Sequence, residues 1–462
     1  MTSLLEAAPA LQARGRLEDL LDSWSPLEQA DGVVAVRGMI GTTAVIAFAT
    51  DASVQGGALG TDSCGAIVAA TDLAVREGLP VVGVWHSGGA RLREGVQGLH
   101  AVARLFAAQT RASGRVLQLS LVLGPAAGGA AYGPALTDVV VMGPAGRVFV
   151  TGPDIVRTVT GEDVDAERLG GRTTHGRSGV VHVTAASDDE AVRRTRELLL
   201  LLGAPGAVDL RRAHGPDPGP LVPGEHRRSY DVRPVIRTVL DDGTFLELQA
   251  GWAPNAVVGV GRLAGRTVGI VANQPQWLAG CLDAASGDKT GRFVQWCDGL
   301  GLPLVFLVDV PGYLPGVGQE DGGVVRRGAK LLHSYAAAVV PRLTVVLRKS
   351  YGGAFIAMGS KGLGADVVLA WPGAQVDVMG ASAAVEVLHR RELAAESDPE
   401  RRAALVLRLA AAHEASTGGL ARALECGAVD EVIASDQTRR RLVEALAAIG
   451  DQRRGLHRNP PL

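Results

Sequence analysis

Two glycine turns are the residues best suited to chemistry. Gly128-Gly129-Ala130 and Gly352-Gly353-Ala354 stand at an offset of 352 − 128 = 224, and each follows an apolar run and leads into a helical pattern. Such a turn presents bare peptide N–H groups at a helix start, where no Cβ blocks an oxygen gaining negative charge and the helix dipole favours it. One isolated Gly-Gly reads as a tight turn between a closely packed strand and helix. The same turn twice in one chain shifts the reading towards two oxyanion sites, one per reacting partner, with an enolate as the obvious charged species and no protein nucleophile.

Other chemistries lack their residues. No G-x-x-x-x-G-K-[ST] loop or G-x-S-x-G elbow occurs, and Gly259-Val260-Gly261 lacks the third glycine at dinucleotide spacing. Ser286-Gly287-Asp288-Lys289 matches S-x-x-K without the companion motifs that give the pattern meaning. The ten histidines are scattered, so no bound metal is expected, and His86 and His333 read as structural or surface residues. Cys64, Cys281, Cys297 and Cys426 form no C-x-x-C pair, which suits a reducing cytoplasm. A formal net charge of −2 argues against a surface built for nucleic acid or anionic membrane. The first residues lack a secretory pattern. The uncharged stretch Val116–Thr137 is broken by Gly124-Pro125, Gly128-Gly129 and Pro134, which predicts a buried strand, a turn and a helix start in place of a membrane span.

The elements that carry the two turns repeat. DVVVMGPAGRVFVTG from Asp138 matches DVVLAWPGAQVDVMG from Asp366, LPVVGVWHSGG from Leu79 matches LPLVFLVDVPG from Leu302, and Gly41 pairs with Gly265. Blocks in one order predict two copies of one domain, here bounded at 1–215 and 216–462. Gly203–Val235, dense in Gly, Pro and Arg, reads as a linker. Runs such as Val81–Trp85, Val139–Met142, Leu304–Val308 and Leu343–Leu347 predict strands buried on both faces. Helical patterns alternate with them over Cys64–Arg76, Gly98–Thr110, Glu190–Leu202 and Ala329–Ala338, giving an α/β class, and two more follow at Arg401–Ala415 and Gln437–Ile449.

At these residues the chain resembles the carboxyltransferase (β) subunits of acyl-CoA carboxylases. The resemblance runs through SGGARLREGV (Ser87–Val96), GPAAGGAAYGPALTD (Gly124–Asp138), VFVTGPDIVRTVTGEDV (Val148–Val164) and VGIVANQPQWLAGCLD (Val268–Asp283). It continues through LVDVPGYLPGVGQE (Leu307–Glu320), RRGAKLLHSYA (Arg326–Ala336), RKSYGGAFIAMGSK (Arg348–Lys361) and GAVDEVI (Gly427–Ile433). It implies two tandem crotonase-like (ClpP/crotonase) domains in a homo-hexamer, with active sites between the N-domain of one subunit and the C-domain of another. It also implies the reaction: carboxybiotin on a carrier protein gives its carboxyl group to the α-carbon of an acyl-CoA, the ureido anion taking the α-proton. Biotin carboxylase and biotin carboxyl carrier subunits are the implied partners.

By the resemblance, Gly128 and Gly129 receive the acyl-CoA thioester oxygen, Gly353 and Ala354 receive the biotin ureido oxygen, and Ile356 tunes chain preference towards short acyl groups, acetyl-CoA or propionyl-CoA. Ser87, Gly88, Gly89 and Arg91 fall in a substrate loop. The alternative for Ile356 is plain core packing. The chain departs from the family at Ala66 and Ala69, where lysines are usual, at His86 for Asp, at Gly133 for Ser, and at Asp321 for an aromatic. Rival readings are a decarboxylase or transcarboxylase subunit working on malonyl-CoA or methylmalonyl-CoA in reverse, a crotonase-type hydrolase or isomerase with Asp309 or Glu94 as base, and a non-catalytic scaffold paralogue.

Overall fold

The computed structural model describes residues 11–416, 419–450 and 454–460. It divides into two compact units, one comprising Met1–Pro205 with Glu247–Trp252 and Gly455–Leu462, the other Gly206–Leu246 with Ala253–Arg454.

One eight-stranded sheet contains β1 (Ser23–Ala30), β2 (Val33–Ile40), β3 (Thr43–Thr50), β4 (Val81–Ser87), β5 (Gln118–Ala127), β6 (Val139–Met142), β7 (Arg147–Phe149) and β8 (Val183–Thr184). Its order is β1-β2-β3-β4-β5-β6-β8, with β7 paired to β5. The other contains β9 (Leu246–Leu248), β10 (Ala256–Leu263), β11 (Arg266–Asn273), β12 (Leu304–Val310), β13 (Arg342–Tyr351), β14 (Val367–Ala370), β15 (Gln375–Asp377) and β16 (Glu431–Val432). It repeats the order strand for strand, and β15 pairs with β13 as β7 does with β5. In each, an antiparallel hairpin (β2–β3, β10–β11) leads into parallel strands joined by covering helices. The expected duplication is therefore a duplication of topology.

The repeat is not at one constant offset. Strands β2 to β4 recur 223 positions later in β10 to β12, β5 recurs at 224 in β13, and β6 and β7 at 228 in β14 and β15. The Gly41–Gly265 match is accordingly one residue out of register. Gly41 aligns with Ala264, and both adopt positive φ, +55° and +49°, because a two-residue hairpin turn demands it. Insertions between later strands account for the rise.

The apolar runs are strands for the expected reason: Val81–Trp85 and the whole of β12 are buried on both faces. Asp138 and Asp366, which open one repeated block, do the same work. Each carboxylate accepts the N–H of the first residue of the neighbouring strand, Gln118 and Arg342, at 2.8 Å. Helices start earlier than periodicity suggests, at Thr61, Gly95, Asp188 and Val324, and at Thr61 and Asp188 capping bonds extend them beyond the apolar stripe. Ser187, for example, accepts the Glu190 N–H at 3.1 Å. Val116–Thr137 forms β5, a 3₁₀ turn and the short helix Tyr132–Ala135, and no described helix is long and apolar enough to cross a membrane.

Gly203–Val235 is not a free linker. Tyr230, Val232 and Val235 are buried in the core under β11 to β14, and one Arg348 nitrogen donates to the carbonyls of Pro223, Glu225 and Arg228 at 2.9–3.2 Å. A guanidinium far along the chain claims its backbone.

Candidate functional site

Both glycine turns are built alike. β5 ends at Ala127 in extended conformation (φ −109°, ψ 156°), Gly128 turns left-handed at φ +57°, and a 3₁₀ turn continues over Gly128–Ala131. β13 ends at Tyr351 (φ −116°, ψ 143°), Gly352 turns at φ +60°, and the helix Gly352–Ala357 follows. Glycine is required at 128 and 352 by φ, and at 352 also by space, since a Cβ would lie 3.0 Å from the Val378 carbonyl oxygen. A Cβ on Gly353 would face the Tyr313 ring at 3.7 Å, and one on Gly129 would meet Val102 at 3.5 Å. Ala354 is fully buried. Strand register makes Gly128 the counterpart of Gly352, so the pairs Gly128/Gly129 and Gly353/Ala354 sit one residue apart in the repeat.

The structure brings Ser87, Gly88 and Gly89 to the first turn. Ser87 is buried and its hydroxyl accepts the Gly89 N–H at 3.3 Å, the Gly88 N–H donates to Gly56 O at 2.9 Å, and Gly89, at φ +111°, lies against Ala127 O and Gly128. Arg91 does not offer a free cation there. Its buried guanidinium donates to Ala58 O at 3.0 Å and Asp31 O at 2.9 Å, and pairs with Asp31 Oδ2 at 2.9 Å. In the second unit Val310-Pro311-Gly312 takes the place of Ser87–Gly89, and the Leu282 N–H donates to Gly312 O as the Leu59 N–H does to Gly89 O.

Ile356 is 45% exposed, so plain core packing does not describe it. With Gly352, Gly353, Phe355, Val376 and Val378 it lines a cavity of about 480 Å³. Ser286 and Lys289 are consumed structurally: Ser286 closes a capping box with Asp283, and the buried Lys289 ammonium donates to Ala256 O at 2.7 Å and Ala253 O at 3.3 Å. Among the described residues no three His, Cys, Asp or Glu side chains gather to hold a metal. Cys64 is pushed up to about 12 by burial, so it is no nucleophile.

Sequence reasoning missed what supports each turn. In the second unit Asp309, fully buried in β12, accepts from Arg348 Nε and pairs with its terminal nitrogen, each at 2.8 Å, and the guanidinium stacks 4.8 Å from the centre of the Tyr230 ring. Burial and the Asp309 charge push the Tyr230 hydroxyl well above the usual phenol range. In the first unit the counterparts are His86 and Gly124, and Arg16 donates to His86 Nδ1 at 3.2 Å. Burial, with the nearby Arg16 charge, holds the His86 imidazole below its ordinary value.

With this geometry in hand, a family profile described as the carboxyl transferase domain matches residues 17–459. The biotin-dependent acetyl-/propionyl-coenzyme A carboxylase beta6 subunit of Mycobacterium tuberculosis H37Rv is 54% identical over 455 residues, covering 97% of this chain and 96% of its own. The propionyl-CoA carboxylase beta chain of Rhodococcus erythropolis is 54% identical over 418 residues, 88% of this chain and 87% of its own. A crystal structure of transcarboxylase 12S, a hexamer with methylmalonyl-coenzyme A and methylmalonic acid bound, superposes with a TM-score of 0.90 at 40% identity, covering 97% of this chain and 92% of that one. The two sheets are duplicated crotonase-like folds.

Proposed function

We propose, from the premise that this chain belongs to the carboxyl transferase domain family, that it is the carboxyltransferase subunit of a biotin-dependent acyl-CoA carboxylase acting on a short-chain acyl-CoA, acetyl-CoA or propionyl-CoA. Gly128 and Gly129 N–H groups receive the thioester oxygen, and Gly353 and Ala354 N–H groups receive the ureido oxygen of biotin. The observation that carries this reading is the repeated turn, left-handed at its first glycine and without a Cβ at its first two residues.

The second turn fits a urea carbonyl because its first two residues are glycines packed against Val378 O and Tyr313, leaving main-chain donors and no competing charged side chain in the turn itself. Biotin, carried on a separate protein, supplies the transferable carboxyl group when bound. The chain's part is positioning and charge stabilisation. Each oxyanion donor is worth about 3–4 kcal/mol in lowering the barrier, roughly a hundred- to a thousandfold in rate. Ile356 lies on the wall of the apolar cavity beside the second turn, and in a hexamer that sets this turn against the first turn of another copy it bounds the room for the acyl chain held there. Biotin carboxylase and carrier chains are the partners, and a cytoplasmic homo-hexamer pairing the first unit of one copy with the second unit of another is the working form. Exposed apolar side chains stand beside both turns at matching positions, Val150 next to Gly128 and Val378 next to Gly352, which suits a surface covered by a second copy.

The likeness to transcarboxylase 12S supports a second reading of direction, in which the same turns move a carboxyl group from methylmalonyl-CoA or malonyl-CoA towards biotin. Either way, purified protein given malonyl-CoA and free biotin releases acetyl-CoA only when biotin is present. Equal release without biotin would overturn the reading in favour of a hydrolase or isomerase.

A further inference from the structure

In both sheets the parallel pairing breaks just before the loop that abuts the glycine turn. β4 pairs with β5 through Trp85–Val122 and resumes at Ser87–Ala126, and β12 pairs with β13 through Val308–Val346 and resumes at Val310–Ser350. The residue at the break is His86 in one and Asp309 in the other. The backbone is held similarly: Thr50 Oγ accepts the His86 N–H at 2.7 Å, and Asn273 Oδ1 accepts the Asp309 N–H at 3.2 Å. The side chains differ. Asp309 meets Arg348 from the adjacent strand, whereas His86 lies over Gly124, whose missing Cβ would fall 2.4 Å from Nδ1, and meets Arg16 from the helix Leu11–Leu20.

We propose that Arg16 and His86 are positioning residues for the first glycine turn, the imidazole filling the β4–β5 break as an acceptor for Arg16 and so holding Ser87–Gly89 against Gly128. Arginine only donates, so Nδ1 must carry the lone pair and the ring must be neutral. Protonation replaces this bond by the repulsion of two cations. The charged groups facing the ring are Arg16 and, from the end of β3, Asp51; Asp51 and Asp188 in turn face Arg16. Burial, which resists protonation of the ring, acts in the same direction.

The inference rests on the assignment of the acyl-CoA to the first turn, and the test separates the two. Initial rates of biotin-dependent malonyl-CoA decarboxylation are measured against both substrates from pH 5.5 to 8 for the wild type, H86A, R16M and H86N, with melting temperature as a check on folding. Asparagine puts a non-titrating acceptor where Nδ1 stands. The expected result is that H86A and R16M raise KM for malonyl-CoA on the order of tenfold, as a small misplacement does, with KM for biotin changed less than about twofold. H86N recovers most of that loss and lacks the acid decline that the wild type shows below the ordinary imidazole range, where the folded ring takes up its proton. A wild-type KM in H86A, a joint rise of both KM values, or the same acid decline in H86N would overturn the proposal. A rise in the biotin KM alone would instead contradict the assignment of the acyl-CoA to the first turn.

Discussion

The two units share a strand order and a turn but not the polar chemistry beneath it. Under the second turn a buried ion pair joins adjacent strands, Asp309 fully enclosed and Arg348 stacked on Tyr230. Under the first the partner strand contributes only Gly124, and a neutral imidazole takes its hydrogen bond from a helix near the chain's start. Duplication has preserved the backbone geometry while its support was rebuilt. On the proposed reading, what the reaction needs at both places is the turn, and the side chains below are different means of holding it.

The strongest break of that symmetry removes the donors themselves. G129P and A354P each delete an N–H, and each should lower kcat a hundredfold or more in protein that still assembles, read by biotin-dependent malonyl-CoA decarboxylation. Retained activity in either would remove that turn from catalysis. Next, R348M leaves the buried Asp309 carboxylate with only the more distant Lys349 ammonium, at 3.8 Å, and should destabilise the second unit by about 3 kcal/mol, whereas R16M leaves a ring that is neutral and should cost under about half as much. Urea unfolding followed by circular dichroism compares the two, and equal losses would mean the supports are energetically alike. Smaller still, I356D should move relative kcat/KM away from acetyl-CoA by roughly severalfold, and unchanged ratios among acyl-CoAs would take Ile356 out of specificity.

The smallest effect is on stability with pH. His86 is held below its ordinary value of 6.5 in the folded chain, so the unfolded chain takes up the proton first. Stability from this group is then whole above about pH 6.5 and declines as pH falls below it. Melting temperatures of wild type and H86N between pH 7.5 and 5.5 should diverge towards acid; parallel curves would show that the ring is not held neutral by the fold.

Much of this was legible in the sequence, for identifiable reasons. Runs such as Leu304–Val308 are apolar throughout because both faces of a parallel strand are covered, and the paired glycine turns stand out because φ admits little else at Gly128 and Gly352. The Gly41–Gly265 match went one residue astray because a two-residue hairpin accepts glycine at either position, and here Ala264 takes the positive φ that Gly41 takes in the other copy. Gly203–Val235 read as linker because nothing local announces that Arg348 will bind its carbonyls. Arg16 was invisible for the same reason: its partner lies 70 positions away, and Gly124 makes sense only once the imidazole is seen in the space a Cβ would fill.

The central claim is that the two turns hold the two oxyanions of one reaction. The direct measurement is a structure of the assembled protein with an acyl-CoA and biotin bound. The thioester oxygen should lie about 2.7–3.1 Å from the Gly128 and Gly129 nitrogens, and the ureido oxygen equally close to those of Gly353 and Ala354, the two ligands sharing one chamber. Either oxygen bound by other groups, or the two turns opening into separate chambers, would contradict it.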